Sequence, residues 1–330
     1  MQKKIKVGIV GAAGYTGGEL IRLLIHHPNT ELVFANSKSN FGKKIVDVHT
    51  DLLGDTEMEF SEQLNSNIDV LFLCLGHGAS KKFLAENEIP TSIKIIDLSQ
   101  DFRIQSPTSN LQHLEFIYGL PEVNRERISS SNYHIANPGC FATCIQLAML
   151  PLASAGLIKN EVHVSATTGS TGAGQSLSET SHFSWRNNNL STYKNFEHQH
   201  LAEINQSIKQ LQNDFDKEIN FIPHRGNFTR GIFATVYTEC NLSENDTLKL
   251  YENYYASHPF VHISKKNIDL KQVVNTNKCL LFIEKKQNKI IVTSIIDNLL
   301  KGASGQAVQN MNLVFGLEET AGLNLKPSAF

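Results

Sequence analysis

The stretch that decides the fold is IKVGIVGAAGYTGGEL, residues 5–20. Residues 5–10 form a short apolar run rich in β-branched residues, and it ends in Gly11-Ala12-Ala13-Gly14-Tyr15-Thr16-Gly17. A helical pattern follows, with Leu20, Leu23 and Leu24 on one face, and closes near His27-Pro28. Residues 31–35 read as the next strand, so strand, glycine turn, helix and strand make one βαβ unit. Glycines at 11, 14 and 17 let the backbone turn tightly and approach a pyrophosphate at the start of a helix. The spacing is G-x-x-G-x-x-G rather than the usual G-x-G-x-x-G. No Lys-Ser/Thr pair follows it, which excludes a P-loop.

Moving outward, buried-strand patterns recur at residues 70–75 and 93–98, with a helical stretch around 81–86 between them. This alternation predicts an α/β fold with a Rossmann-type, doubly wound parallel sheet. The character changes after Asn137-Pro138-Gly139-Cys140, where a long helix opens. Strand-like runs follow at 162–168, 219–222, 232–239, 279–284 and 290–297, and predict an α+β second domain with an antiparallel or mixed sheet. Residues 181–194 read as an irregular loop, and the final apolar helix, about 305–315, is expected to return to the first domain. The expected domains are therefore 1–139 plus 298–330 for the dinucleotide, and 140–297 for substrate and oligomerisation.

The bulk properties narrow the function. A chain of 330 residues carries two domains, and 41 % apolar with 19 % charged residues is ordinary globular composition. A formal net charge of -2 without blocks of like charge leaves no footprint for nucleic acid or an anionic membrane. The stretch from Met1 to Val10 runs from a short basic patch straight into an apolar run that is too brief for a signal peptide and is cut off by the glycine loop, so none is expected. No stretch approaches the roughly 20 apolar residues of a membrane span. Five scattered cysteines without a C-x-x-C pair argue against a disulfide framework or zinc cluster and fit a reducing cytoplasm.

Several residues carry chemistry. The second strand ends in Ala35-Asn36-Ser37-Lys38 without the acid that grips an NAD ribose. Ser37 and Lys38 instead suit a 2′-phosphate, so NADP(H) is the expected cofactor, with a solvated lysine as the alternative. Cys140 opens a helix after a Pro-Gly break, where the dipole and unpaired N–H groups favour thiolate; a buried structural cysteine is the alternative. Cys144, one turn on, reads as a core residue. His198 and His200 flank Gln199, with Glu203 beyond. With no H-E-x-x-H and no third ligand at helical spacing, a base near a reactive thiol is a better use of them than metal binding. Arg225 and Arg230 bracket a loop after His224, and either suits a carboxylate or phosphate. Gly302-Ala303-Ser304-Gly305-Gln306 lacks the second glycine of a hydrolase elbow.

Four motifs in order carry a resemblance. They are residues 11–20, Tyr118-Gly119-Leu120-Pro121-Glu122, Asn137-Pro138-Gly139-Cys140 and the run from Lys301 to Asn310. Together the chain resembles the N-acetyl-γ-glutamyl-phosphate reductase family of arginine biosynthesis, related in fold to aspartate-semialdehyde dehydrogenases. The resemblance implies NADPH-dependent reduction of an N-acyl-γ-glutamyl phosphate to the semialdehyde, with Cys140 as nucleophile and His198 as acid–base. It implies substrate contacts at His200, Glu203, His224, Arg225 and Arg230. It implies cofactor contacts at Gly11, Gly14, Tyr15, Thr16, Gly17, Ser37, Lys38, Gly76 and Asn298, and a homodimer or homotetramer. Related readings are an aminoadipyl-phosphate reductase and a non-catalytic NADP-binding redox sensor.

The departures from the family pattern lie near the substrate. Cys140-Phe141-Ala142-Thr143 stands for Cys-Tyr-Pro-Thr, Gln199 for the arginine of His-Arg-His, and Gln175 for the arginine of Ser-Gly-Ala-Gly-Arg. Arg225 replaces a leucine. These changes raise a succinyl group as an alternative to acetyl, with Arg225 facing the extra carboxylate.

Overall fold

Residues 3–104, 114–130 and 132–329 are described by the computed structural model. The chain folds into two compact units, Met1–Pro138 with Ala303–Asn324, and Gly139–Gly302 with Leu325–Phe330.

In the first unit, β1 (Ile5–Val10), α1 (Tyr15–Leu24) and β2 (Thr30–Asn36) are followed by β3 (Val70–Leu73), α2 (Ala79–Glu86) and β4 (Lys94–Asp97). Next come β5 (Phe116–Tyr118), α3 (Pro121–Ser129) and β6 (His134–Ala136). The six strands pair in the order β2-β1-β3-β4-β6-β5, all parallel. Every residue of β3 is buried, which is why such strands read as unbroken apolar runs rather than alternating ones.

The second unit contains α4 (Cys140–Ser154), β7 (Val162–Thr168), α5 (Phe183–Arg186), β8 (Ser191–Thr192), α6 (His200–Leu211), β9 (Ile219–Arg225) and β10 (Ile232–Glu239). It continues with α7 (Glu244–Tyr255), β11 (Val261–Ser264), β12 (Cys279–Lys286) and β13 (Lys289–Ile296). The sheet order is β11-β12-β13-β10-β7-β9-β8. It is mixed: β11 with β12 and β7 with β9 run parallel, and the remaining pairs antiparallel. α4 is buried from Phe141 to Ala153 and lies on β10 and β13, flanked by α6 and α7. Tyr251 and Tyr255 of α7 donate their hydroxyls to Ala148 O at 2.6 Å and Leu147 O at 2.5 Å. The last helix, α8 (Ser304–Val314), belongs to the first unit and packs against α1 and α3.

Four expectations need revision. Residues 298–302 and the tail from 325 group with the second unit, because Asn298 bonds Gly231 and Thr171 and Ser328 N reaches Val274 O at 3.2 Å. Residues 181–194 contain α5 and β8 rather than loop alone. The strand expected at 219–222 runs three residues further, through Pro223, His224 and Arg225, because their backbones pair with Ala166, Thr167 and Thr168 on one side and, for His224 and Arg225, with β8 on the other. α8 is buried throughout but is not an apolar helix. Its amides have internal partners: Asn310 donates to Gly119 O at 2.8 Å, Gln309 to Glu319 at 2.7 Å, and Asn312 faces His27 at 3.1 Å. Such pairing offsets the cost of burying polar groups.

Candidate active site

The first unit gathers its candidate residues at the carboxyl ends of adjacent parallel strands, with β1 between β2 and β3. Gly11 has φ +81°, and a Cβ there would meet Cys74 O at 2.4 Å. One at Gly17 would meet Ala12 Cα and Gly11 O at 2.6 Å. These two glycines are demanded by the protein's own backbone.

Gly14 and Gly76 are different. A Cβ on Gly14 would meet only Gly11 O at 3.6 Å, one on Gly76 nothing within 4 Å, and neither has a positive φ. Neither is demanded by packing, and each leaves open the space where a side chain would stand. Helix α1 has no side-chain cap, so the N–H groups of Tyr15, Thr16 and Gly17 are placed for an anion. Ser37 is buried and Lys38 exposed just beyond β2. The set fits a dinucleotide with a phosphorylated ribose. A residue the sequence did not flag supports the loop from beneath: His49 Nε2 lies 2.9 Å from Ala12 O, and its ring fills the space beside Gly18.

The second unit holds the candidate catalytic residues. Cys140 is the first residue of α4, after an extended Gly139 N-cap. Its thiol is half-buried, while Cys144 is fully buried with Sγ 3.3 Å from Ser294 O, as expected of a core residue. Glu203, on the first turn of α6, accepts the Gly139 N–H at 2.9 Å and lies 3.8 Å from His200 Nε2. His198 Nδ1 accepts the His200 N–H at 3.3 Å. The His198 ring sits among aromatic groups, with centroids 5.4 Å from Phe141, 5.4 Å from Phe221, 5.7 Å from Tyr193 and 4.6 Å from His200. Burial pushes its pKa down to about 3, and the neighbouring His200 adds to the effect. His198 is therefore neutral at pH 7. Tyr193, whose ring packs against His198, stays a neutral phenol. Burial raises its pKa, and Cys140 raises it further.

The remaining predicted residues are placed as follows. His224 is half-buried on β9, and Arg225 stacks its guanidinium 3.8 Å from the Tyr193 ring centroid. Arg230 makes a two-pronged ion pair with the buried Asp297, at 3.0 and 3.1 Å. Asp297 also accepts the N–H groups of Asn275, Leu299 and Leu300, which fixes the plane of that guanidinium. Asn298 is 2 % exposed and its amide is committed within the second unit, accepting from Gly231 N at 2.6 Å and donating to Thr171 Oγ1 at 2.9 Å. Gly302 is confined by Asn298 O at 2.6 Å and Cys140 Cβ at 2.8 Å from where a Cβ would stand. Among the described residues no cluster of three or more His, Cys, Asp or Glu is placed to hold a metal, and no helix is long and apolar enough to cross a membrane.

Comparison with known proteins adds a family. Residues 6–131 match the model described as semialdehyde dehydrogenase, NAD binding domain, and residues 140–298 the one described as semialdehyde dehydrogenase, dimerisation domain. Relatives named N-acetyl-gamma-glutamyl-phosphate reductase include that of Bacteroides fragilis, 61% identical over 99% of this chain and 100% of its own length. Those of Parabacteroides distasonis and Flavobacterium johnsoniae are 60% and 59% identical over the same shares. Among solved structures, aspartate semialdehyde dehydrogenase II of Vibrio cholerae has a TM-score of 0.71 at 16% identity, covering 96% of this chain and 99% of that one. A probable aspartate-semialdehyde dehydrogenase of Pseudomonas aeruginosa has a TM-score of 0.72 at 15% identity, covering 95% and 99%. These structures share the fold.

Proposed function

The chain belongs to the N-acetyl-γ-glutamyl-phosphate reductase family, and from that premise we propose that Cys140 and His198 carry its chemistry. The protein is an NADP-dependent oxidoreductase of amino-acid biosynthesis, reducing an N-acyl-γ-glutamyl phosphate to the 5-semialdehyde with release of phosphate. The observation that carries the residue assignment is the position of Cys140 at the first turn of α4, in the cluster of Tyr193 and His198.

Cys140 attacks the acyl carbonyl, a C–S bond forms, and the C–O bond to phosphate breaks. Its proton passes to His198, which burial keeps neutral and ready to accept one. The neighbouring thiolate offsets the desolvation that otherwise disfavours the imidazolium. N–H groups at the start of α4 face the oxyanion that develops on the carbonyl. Gly11, Gly14, Tyr15, Thr16, Gly17, Ser37, Lys38 and Gly76 would hold NADPH, which when bound would supply the hydride for reduction of the thioester. His198 then protonates the oxygen of the thiohemiacetal and takes that proton back as the aldehyde forms and Cys140 leaves. Glu203 and His200 position the helix start and the ring. His224 and Arg230 line the substrate side. Asn298 holds the Gly231 and Thr171 turns, and through them any contact it makes with the cofactor. The working form is a homodimer or homotetramer, which light scattering of the purified protein would establish.

The test is the reverse reaction, phosphate-dependent reduction of NADP⁺ by N-acetyl-glutamate 5-semialdehyde. Turnover is expected in the wild type and its loss, on the order of 10³-fold or more, in Cys140→Ser. A Cys140→Ser variant that kept its rate would remove the thioester route.

A further inference from the structure

Among the described residues, two half-buried arginines of the second unit lack the kind of counter-ion that Arg230 has in Asp297. Arg186 closes α5 and Arg225 closes β9. β8 brings Ser191 opposite Arg225, and the ring of Tyr193 lies under the Arg225 guanidinium at 3.8 Å. One face of Arg225 is thereby occupied, and its N–H edges remain for a ligand. Arg186 Nε and Ser191 Oγ are both buried without a hydrogen-bond partner. Among the described residues, the charges that act on Arg186 are Arg225 and Tyr193, and no carboxylate is among them; burial and Arg225 both push its pKa down. Like charges side by side in a half-buried place are destabilising unless an anion lies between them. Tyr193 is the common neighbour of both arginines and of Cys140.

This inference rests on the reading of the chain as an N-acyl-γ-glutamyl-phosphate reductase. We propose that Arg186 and Arg225 form a carboxylate subsite for the far end of the N-acyl group, and that the preferred acyl group is a diacid half-amide of the succinyl type. The argument is one of charge. Once phosphate has left, an N-acetyl-glutamyl thioester carries one carboxylate, which leaves one guanidinium uncompensated. A thioester whose acyl group is itself a half-amide of a diacid carries two, one for each arginine. Guanidinium forks bind carboxylates in two-pronged fashion, and the unpartnered Arg186 Nε and Ser191 Oγ supply donors for that purpose. The group is retained through both half-reactions, unlike the phosphate.

The experiment compares N-succinyl- and N-acetyl-glutamate 5-semialdehyde in phosphate-dependent NADP⁺ reduction by the wild type, Arg186→Met and Arg225→Met. A succinyl preference in the wild type is expected, and its ratio of kcat/KM should fall at least about tenfold in each variant. A ratio that stays fixed while both rates drop together would assign the pair to the shared α-carboxylate and overturn the proposal. A rise confined to the KM for phosphate would overturn it in favour of the leaving group. Inhibition of the wild type by N-succinyl- and N-acetyl-glutamate reads the same preference without any substitution, and equal inhibition constants would likewise overturn it. Turnover of neither semialdehyde would sink the parent reading, whereas turnover with acetyl preferred would sink the subsite alone.

Discussion

Glu203 Oε2 accepts the backbone N–H of Gly139 at 2.9 Å, so a carboxylate on α6 caps the helix that Cys140 opens. Glu203 is 3 % exposed, and its other oxygen lies 3.8 Å from His200. Glu203→Ala would leave a buried N–H without its acceptor, and a loss of about 1–3 kcal/mol in stability is expected. Because the same bond sets the start of α4, kcat should fall more than KM rises, with partial recovery in Glu203→Gln. Urea denaturation beside steady-state kinetics checks both; unchanged values in Glu203→Ala would remove the positioning role.

Gly302 and Gly76 make a contrasting pair. A methyl on Gly302 would collide with backbone at Asn298 and with Cys140 Cβ, neither of which is the flexible end of a side chain. Gly302→Ala is expected to lose about 1–3 kcal/mol of stability and, through displaced Cys140, roughly tenfold or more in kcat. Gly76→Ala meets nothing within 4 Å, so stability should hold within about 0.5 kcal/mol while the KM for NADPH rises. Equal behaviour of the two variants would contradict the geometry.

Alkylation distinguishes the five thiols. Cys144, Cys240 and Cys279 are buried, and burial pushes the Cys74 thiol up to about 12 and the Cys144 thiol well above its ordinary value. Iodoacetamide near pH 7 should label Cys140 first in the native protein and the rest only after unfolding. Peptide mapping that found Cys144 or Cys279 modified first would refute this order.

Acid sensitivity follows from the histidines. Burial lowers the pKa of His27, His49, His134 and His198, to about 4 in His134 and about 3 in His198. A group depressed in the folded state binds more protons when unfolded. Its contribution is therefore intact above the unfolded pKa of about 6.5 and is lost as pH falls from there toward the folded value. Stability should drop between pH 7 and pH 4, and His134→Gln should flatten that slope. By the same sign, proton NMR should show His198 still neutral at pH 5. A titration of His198 near 6.5 would contradict its burial.

Much of the fold is legible because it is written locally. Residues 5–20 specify β1, the glycine turn and α1 through composition and period alone, and Pro138-Gly139 marks the start of α4. The helices at 200–211 and 244–255 are harder to see because their buried faces are narrow and partly polar, with Ser207 and Thr247 inside. Strand β9 reads three residues short, since Pro223, His224 and Arg225 do not look like a strand until β7 and β8 pair with them.

What the sequence determined by itself was the architecture of the cofactor unit and the candidacy of Cys140 and His198, because both depend on short-range pattern. Tertiary structure alone decided the environment of each charge. Asp297 claims an edge of Arg230 across sixty-seven positions, and Glu203 reaches Gly139 across sixty-four. Arg186 and Arg225, thirty-nine positions apart by number, come to share Tyr193, and no acid among the described residues acts on Arg186. A side chain's charge is local information, but its solvation and its partner belong to the folded chain, and these two set what the charge can bind.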